Sequence, residues 1–293
     1  MFLAPFKHHR PAELNAVFDL LAKHGDEAAV YAGGTELLLA LKARVLRYEH
    51  LVDLKRVREF SGIKVEGSEV VIGALATHHE IANSAIVRQH VPAYAALSDG
   101  IANIRVRSAG TLAGNLSFSE PHSDPPSLLA AMGASVTLVS PEGRRSVPVA
   151  EFIVGEFTTV RNEDELIAEI RIPFTQKGAG FRYLKFGHLE RPAVGASAGC
   201  VTRDGRTSYR LWLGAIGDHP IHVREVEDAI EGVPVSALPD MLPGLVTDFA
   251  SKISATSDLH GSADYKQHLA GVLLQRALAA AAASASGERQ SHA

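Results

Sequence analysis

The sequence predicts a mixed α+β protein in which strands and helices alternate early and segregate late. Three observations carry this. The apolar run Ala28–Tyr31 meets Gly33-Gly34 and then a helical pattern, a strand–loop–helix unit. Residues 62–74 change rhythm to strand, Gly67-Ser68 turn, strand. Beyond residue 180 three strand-like runs follow one another, and the chain from Val223 onward reads as helix.

In order along the chain, residues 11–24 read as a helix: Leu14, Val17 and Leu21 form one stripe, Pro11 suits a first turn and Gly25 a stop. The strand at 28–31 leads through the glycine loop to a helix over 35–44, then a strand at 51–53. Thr77 and Glu80 form a capping box, so a helix is expected from there to about Arg88, and another over 92–100. Residues 103–124, rich in Gly, Ser, Asn and Pro, are expected to be a long loop of the kind that serves function. A helix over 125–132 precedes strands at 135–139 and 146–149, with a turn at Glu142-Gly143, and a strand at 165–172 ended by Pro173. Residues 176–180 read as a linker. The later strands fall at 181–186, 195–202 and 208–216, the last two joined by Asp204-Gly205, and helices at 223–230, 241–253 and 263–283. The small, polar end, 284–293, is expected to fray.

The bulk composition narrows the function. The 293 residues are 46% hydrophobic and 21% charged, enough for a core without disulfide or metal staples. A net charge of −4 and a pI near 6.4 argue against a nucleic-acid binder. No run of 18 apolar residues occurs, so no membrane span is expected, and the start MFLAPFKHHR lacks the pattern of a secretory signal. The one cysteine, Cys200, sits among apolar neighbours and reads as a buried strand thiol in a cytoplasmic protein; one thiol cannot hold an iron–sulfur cluster, which takes about four ligands.

Two glycine loops carry the chemistry. Ala32-Gly33-Gly34-Thr35-Glu36 lies between a strand and a helix, where amides and a Thr hydroxyl suit a diphosphate. It lacks the three spaced glycines of the dinucleotide fingerprint, and an ordinary strand-to-helix turn reads the same way. Gly110-Thr111-Leu112-Ala113-Gly114-Asn115-Leu116 is a second such loop. Together they would clamp an extended phosphorylated ligand. Asp124, before Pro125, reads either as a helix N-cap or as a carboxylate gripping ribose hydroxyls.

These loops, in this order and spacing, resemble the FAD-binding subunits of molybdenum hydroxylases, the carbon monoxide dehydrogenase and xanthine dehydrogenase family. Supporting matches are Ile72-Gly73-Ala74 with Thr77-His78, Asp164 to Ile167 leading to Ile172-Pro173, the strand from Phe181 to Lys185, and Tyr265-Lys266. The resemblance covers roughly residues 1–280. It implies an FAD-binding domain of the p-cresol methylhydroxylase type with two α/β subdomains (1–175), a small C-terminal domain of three antiparallel strands and helices (176–284), and a flexible tail (285–293).

The resemblance further implies non-covalent FAD. Val30, Tyr31, Ala32, Gly33, Gly34, Thr35, Glu36 and Leu37 would line the diphosphate with Thr111, Ala113, Gly114 and Asn115. Asp124 would hold the adenosine ribose or nearby atoms, and Ile101, Ile167 and Lys185 would border the flavin. Ala113 stands where the family usually has Gly, and Ile101 where xanthine dehydrogenase has an aromatic. The implied role is electron transfer. A small subunit with two [2Fe-2S] clusters and a large subunit with the molybdenum cofactor would complete a three-chain unit, doubled to a heterohexamer, and FAD would pass electrons to an external acceptor.

A free-standing FAD-dependent reductase of the same fold and an assembly subunit that has lost its flavin are the alternatives; intact Gly33, Gly34 and Gly114 argue against the second. The adjacent pairs His8-His9 and His78-His79 are not expected to chelate a metal, since neighbouring side chains point apart. The Ala-rich last helix is expected to pack rather than to anchor in a membrane.

Overall fold

A computed structural model describes residues 3–187 and 191–287. The first unit comprises strand β1 (Lys7–His9), helix α1 (Leu14–His24), strand β2 (Ala28–Tyr31), helix α2 (Leu37–Ala43) and strand β3 (His50–Asp53). Its strands form a parallel sheet in the order β1-β3-β2. Helix α1 starts at Leu14 rather than Pro11 because Glu13 is still extended (φ −108°, ψ 140°). It stops at Gly25, which takes a positive φ of 46° and donates its amide to the Leu21 carbonyl. Side chains alternate across the sheet. Lys7, His9, His50 and Val52 share the face that meets α1, where Val17 and Phe18 pack into the same core as Val52; His8, Leu51 and Asp53 share the other.

The second unit runs through β4 (Ile63–Glu66), β5 (Glu69–Gly73), α3 (His78–Asn83), α4 (Ala85–His90), α5 (Pro92–Asp99), α6 (Ile104–Ala109), α7 (Leu112–Phe118), α8 (Pro125–Ala131), β6 (Ser135–Ser140), β7 (Gly143–Pro148), α9 (Val149–Phe152), β8 (Ile153–Gly155), β9 (Thr158–Thr159) and β10 (Leu166–Pro173). An antiparallel sheet in the order β4-β5-β10-β6-β7 forms its floor. The helix expected to run unbroken to Arg88 is cut at Ser84, which is extended (ψ 124°) and whose hydroxyl caps α4 through the Val87 amide. The long loop expected at 103–124 instead holds α6 and α7. Each is too short to show an apolar period, and each is started by a capping side chain: Asn103 accepts from the Arg105 and Val106 amides, Thr111 from that of Gly114.

The third unit is β11 (Ala179–Phe186), β12 (Val194–Arg203), β13 (Arg206–Gly214), β14 (Ile221–His222), α10 (Arg224–Ile230), α11 (Leu238–Lys252) and α12 (Ala263–Ser286). Its sheet order is β11-β12-β13-β14. The expected three strands gain a fourth, a two-residue edge paired with Trp212 and Leu213, and the expected linker is partly strand. Cys200 is buried on β12, and burial pushes its thiol up to about 11. Helix α12 packs along β11, β12 and α11 and runs through Ser286, past the expected start of the tail; residues 288–293 lie outside the described residues. Helix α12 is long and apolar enough by composition to cross a membrane, yet most of that stretch is buried within the protein.

Among the described residues two large cores result, one beneath the first two units and one within the third, with a small cluster of Ala130, Ala131 and Trp212 where α8 meets β13. Helix α8 joins the two large cores. All seven of its residues are buried, it packs on β12 and β13, and the Ser197 hydroxyl donates to that of Ser127 at 2.9 Å.

Candidate functional site

The two glycine loops meet. Val30 and Tyr31 end β2, residues 32–36 form the loop, and Leu37 opens α2. A Cβ added at Gly33 would run into the Ala109 carbonyl oxygen and stand 2.9 Å from Ala109 C and Gly110 Cα. Only glycine lets the first loop lie against the turn between α6 and α7. Gly34, at φ +71°, makes the left-handed step that turns the chain into α2. A Cβ at Gly110 would stand 3.4 Å from the Thr35 hydroxyl, so the starts of α2 and α7 come together. Two adjoining helix starts favour anionic groups.

The second loop is pinned from below. The His78 amide donates to the Gly110 carbonyl at 3.0 Å, the Leu112 amide to that of Ala76 at 3.3 Å, and Thr77 bridges to Thr111. The capping box of Thr77 and Glu80 fixes this turn. Burial, with a smaller contribution from Arg107, holds the His78 imidazole down to about 4, so it is neutral there. Ala113 is the second residue of α7 and has no positive φ, which is why a methyl replaces the usual glycine without strain.

Asp124 does not cap α8: its side chain makes no bond to that helix. It accepts instead from the Tyr183 hydroxyl at 2.6 Å and from Lys185 Nζ at 2.8 Å, both on β11. Residues two apart on a strand face the same way, and this brings the pair to one carboxylate. Burial raises the Asp124 carboxyl above its ordinary value, against the opposing pull of Lys185 and Tyr183; burial also raises the Tyr183 hydroxyl. Lys185 Nζ also donates to the Gly100 carbonyl at 3.0 Å, drawing Ile101 to the same place. The Ser123 hydroxyl donates to Asn115 Oδ1 at 2.6 Å, linking this group to the second loop. Ile101 and Ile167 are buried, at 6% and 4% exposure. Ile167 lies on β10, the central strand, against which α7 packs.

Several residues escaped the sequence reading. Lys55 Nζ donates to the Ala32 carbonyl at 3.2 Å and lies 3.8 Å from the Tyr31 ring centroid, clamping the first loop. Arg191 bridges Glu36 at 3.3 Å and Glu120 at 2.8 Å. His122 is in view from the sequence, near the second loop, but its contact is not: it joins Glu120 to Asp258 of the third unit. No motif marks these, but Tyr183 could have been found from its spacing to Lys185 on one strand face.

This site suits a dinucleotide with a diphosphate. The paired loops offer glycine-lined backbone and two helix starts, and Asp124 accepts two bonds of the roughly four its oxygens allow, leaving room for sugar hydroxyls.

Comparison with known proteins agrees. Residues 4–175 match the family model described as the FAD binding domain in molybdopterin dehydrogenase, and residues 180–281 match the CO dehydrogenase flavoprotein C-terminal domain. The carbon monoxide dehydrogenase medium chain of Hydrogenophaga pseudoflava is 34% identical over 280 residues, covering 94% of this chain and 96% of that one. The corresponding medium chain of Afipia carboxidovorans is 33% identical over 289 residues, covering 97% and 99%. A solved structure of the Hydrogenophaga pseudoflava enzyme, in a form lacking the Mo-pyranopterin moiety of its molybdenum cofactor, superposes with a TM-score of 0.90 at 32% identity, covering 96% of this chain and 98% of that one. The chain therefore belongs to the carbon monoxide dehydrogenase and xanthine dehydrogenase family of FAD-binding medium subunits of molybdenum hydroxylases.

Proposed function

We propose that this chain is the electron-transfer subunit of a cytoplasmic three-chain hydroxylase, doubled to a heterohexamer. Residues 1–175 form the FAD-binding domain and 176–284 the C-terminal domain. When bound, non-covalently, FAD supplies the redox chemistry that links the [2Fe-2S] clusters of a small partner to an external acceptor. The large partner holds the molybdenum cofactor and oxidises the substrate. The lone thiol, Cys200, is buried in a strand and cannot ligate a cluster, which supports placing the iron on another chain.

The observation that carries the reading is the seating of Gly33 against Ala109 and Gly110, which makes one cradle of two loops. Residues 30–37 and 111–115 hold the diphosphate there. Asp124 orients the ribose, and Ile101, Ile167 and Lys185 flank the ring, with Lys185 also opposing the upward push of burial on the Asp124 carboxyl. The test is purification of the native complex, with identification of the released cofactor by mass and of the accompanying chains. FAD together with two further chains, one carrying iron and sulfide, is the expected result. A flavin-containing chain that purifies alone and turns over a substrate would favour a free-standing reductase. A colourless chain that does not take up added FAD would remove the function.

A further inference from the structure

Outside the flavin site, three histidines distant in sequence converge on one face of the parallel sheet. His9 ends β1, His50 opens β3, and His24 is the last residue of α1. His9 Nε2 and His50 Nδ1 are 2.8 Å apart. The His24 and His50 rings stack at 3.6 Å between centroids, and the His9 and His50 rings at 5.1 Å. One ring nitrogen from each lies within 4.8 Å of the other two. Adjacent His8 takes no part: it points to the opposite face, where it meets Asp53 and Tyr31. The pairing of His8 with His9 along the chain thus hid a different set assembled by the fold.

We propose that His9, His24 and His50 form a binding site for one first-row divalent cation of the zinc type. Imidazole nitrogens are favoured ligands of such ions. A tetrahedral ion with metal–nitrogen bonds of about 2.0–2.1 Å holds its ligand nitrogens about 3.4 Å apart. The 2.8 Å pair opens by roughly half an ångström and the wider separations close by rotation about side-chain torsions. Glu27 and Glu49 form a separate group with His50 alone, their candidate ligand atoms within 4.8 Å of one another, and the Glu49 amide donates to the Glu27 carbonyl at 2.9 Å. A water completes the shell. The ion would tie the C-terminal end of α1 to β1 and β3 on the sheet face turned away from Tyr31 and the first flavin loop.

The full-length chain, freed of metal with a chelator, is titrated with Co2+ and followed by its visible ligand-field absorption, then challenged with Zn2+. One Co2+ per chain, in a low-symmetry nitrogen-rich site and displaced by one Zn2+, is expected. His24→Gln, at the half-buried helix end, weakens binding at least about tenfold, and His9→Gln with His24→Gln abolishes it. Melting in chelator and FAD content serve as controls and stay unchanged in His24→Gln. Absence of the cobalt spectrum in the unaltered chain overturns the proposal. So does equal affinity in the double variant.

Discussion

Replacing Gly33 by alanine probes the contact between the two loops directly. The new methyl would stand 2.9 Å from Ala109 C and Gly110 Cα and closer still to the Ala109 oxygen. Ordinary carbon contacts are about 3.5–4.0 Å, so the loops must part by roughly 0.6–1.1 Å. The obstacle is backbone on a pinned turn, not the end of a flexible side chain, and overpacking of this kind costs about 1–3 kcal/mol. If the loops open, that cost appears as FAD affinity weakened by roughly 5- to 150-fold. If they stay closed, it appears as a melting temperature lower by roughly 2–12 °C for a domain of this size. Flavin absorbance, FAD titration and thermal unfolding of the same preparation measure both. Gly244→Ala is the control: it lies inside α11 with nothing within 4 Å of its added Cβ, and should be neutral or stabilising by up to about 1 kcal/mol. A Gly33→Ala chain with unaltered affinity and unaltered melting would refute the shared cradle.

Other perturbations test the contacts between units. Asp124→Ala should weaken FAD binding by about 1–3 kcal/mol through lost charge-assisted bonds, read by titration; since Asp124 caps nothing, an unchanged affinity would remove it from the site. Lys185→Met leaves the 5%-exposed Asp124 carboxylate with Tyr183 alone, so its cost should shrink by at least about 1 kcal/mol in an Asp124→Asn background; additivity within about 0.5 kcal/mol by denaturant unfolding would count against the coupling. Asp258→Asn should destabilise more than Lys266→Met, about 3–5 against 1–3 kcal/mol, because Lys266 is 1% exposed and Asp258 can be hydrated.

The His122–Asp258 contact should also depend on pH. The bond to Glu120, aided by Asp258, holds His122 above 6.5, so its contribution is full below 6.5 and fades as pH rises through that raised value. Burial alone would raise the Asp258 carboxyl, but Lys266, the His260 amide and His122 bring it down from 3.8 to about 2, so its contribution fades as pH falls through 2. The melting difference between the unaltered chain and His122→Gln should therefore be greatest between about pH 4 and 6.5 and decline in alkali. A difference that is flat with pH would refute the ion pair.

Much of this was legible locally. The capping box at Thr77, the glycine turn after Tyr31 and the hairpin at Asp204-Gly205 all act within a few residues, and each forms as the sequence implies. Helices α6 and α7 escaped because six or seven residues display no apolar stripe, although Asn103 and Thr111 announced their starts. Asp124 was ambiguous for a different reason. A carboxylate before Pro125 looks like a cap, and nothing nearby reveals that its partners lie 59 and 61 residues later. The histidine cluster was hidden likewise, since parallel pairing of β1 and β3 is what brings His9 to His50.

The reach of Asp124 across the chain gives synthesis a direction. When β10 has just left the ribosome, both glycine loops exist, yet the carboxylate beside them has neither Tyr183 nor Lys185 to answer it. On the proposed reading, a flavin arriving then meets a half-made grip. Only after β11 has emerged and lain down against the earlier part is that carboxylate held by both partners. On the same reading, yellow colour in a purified preparation would thus report that β11 has been made and has found its place against Asp124.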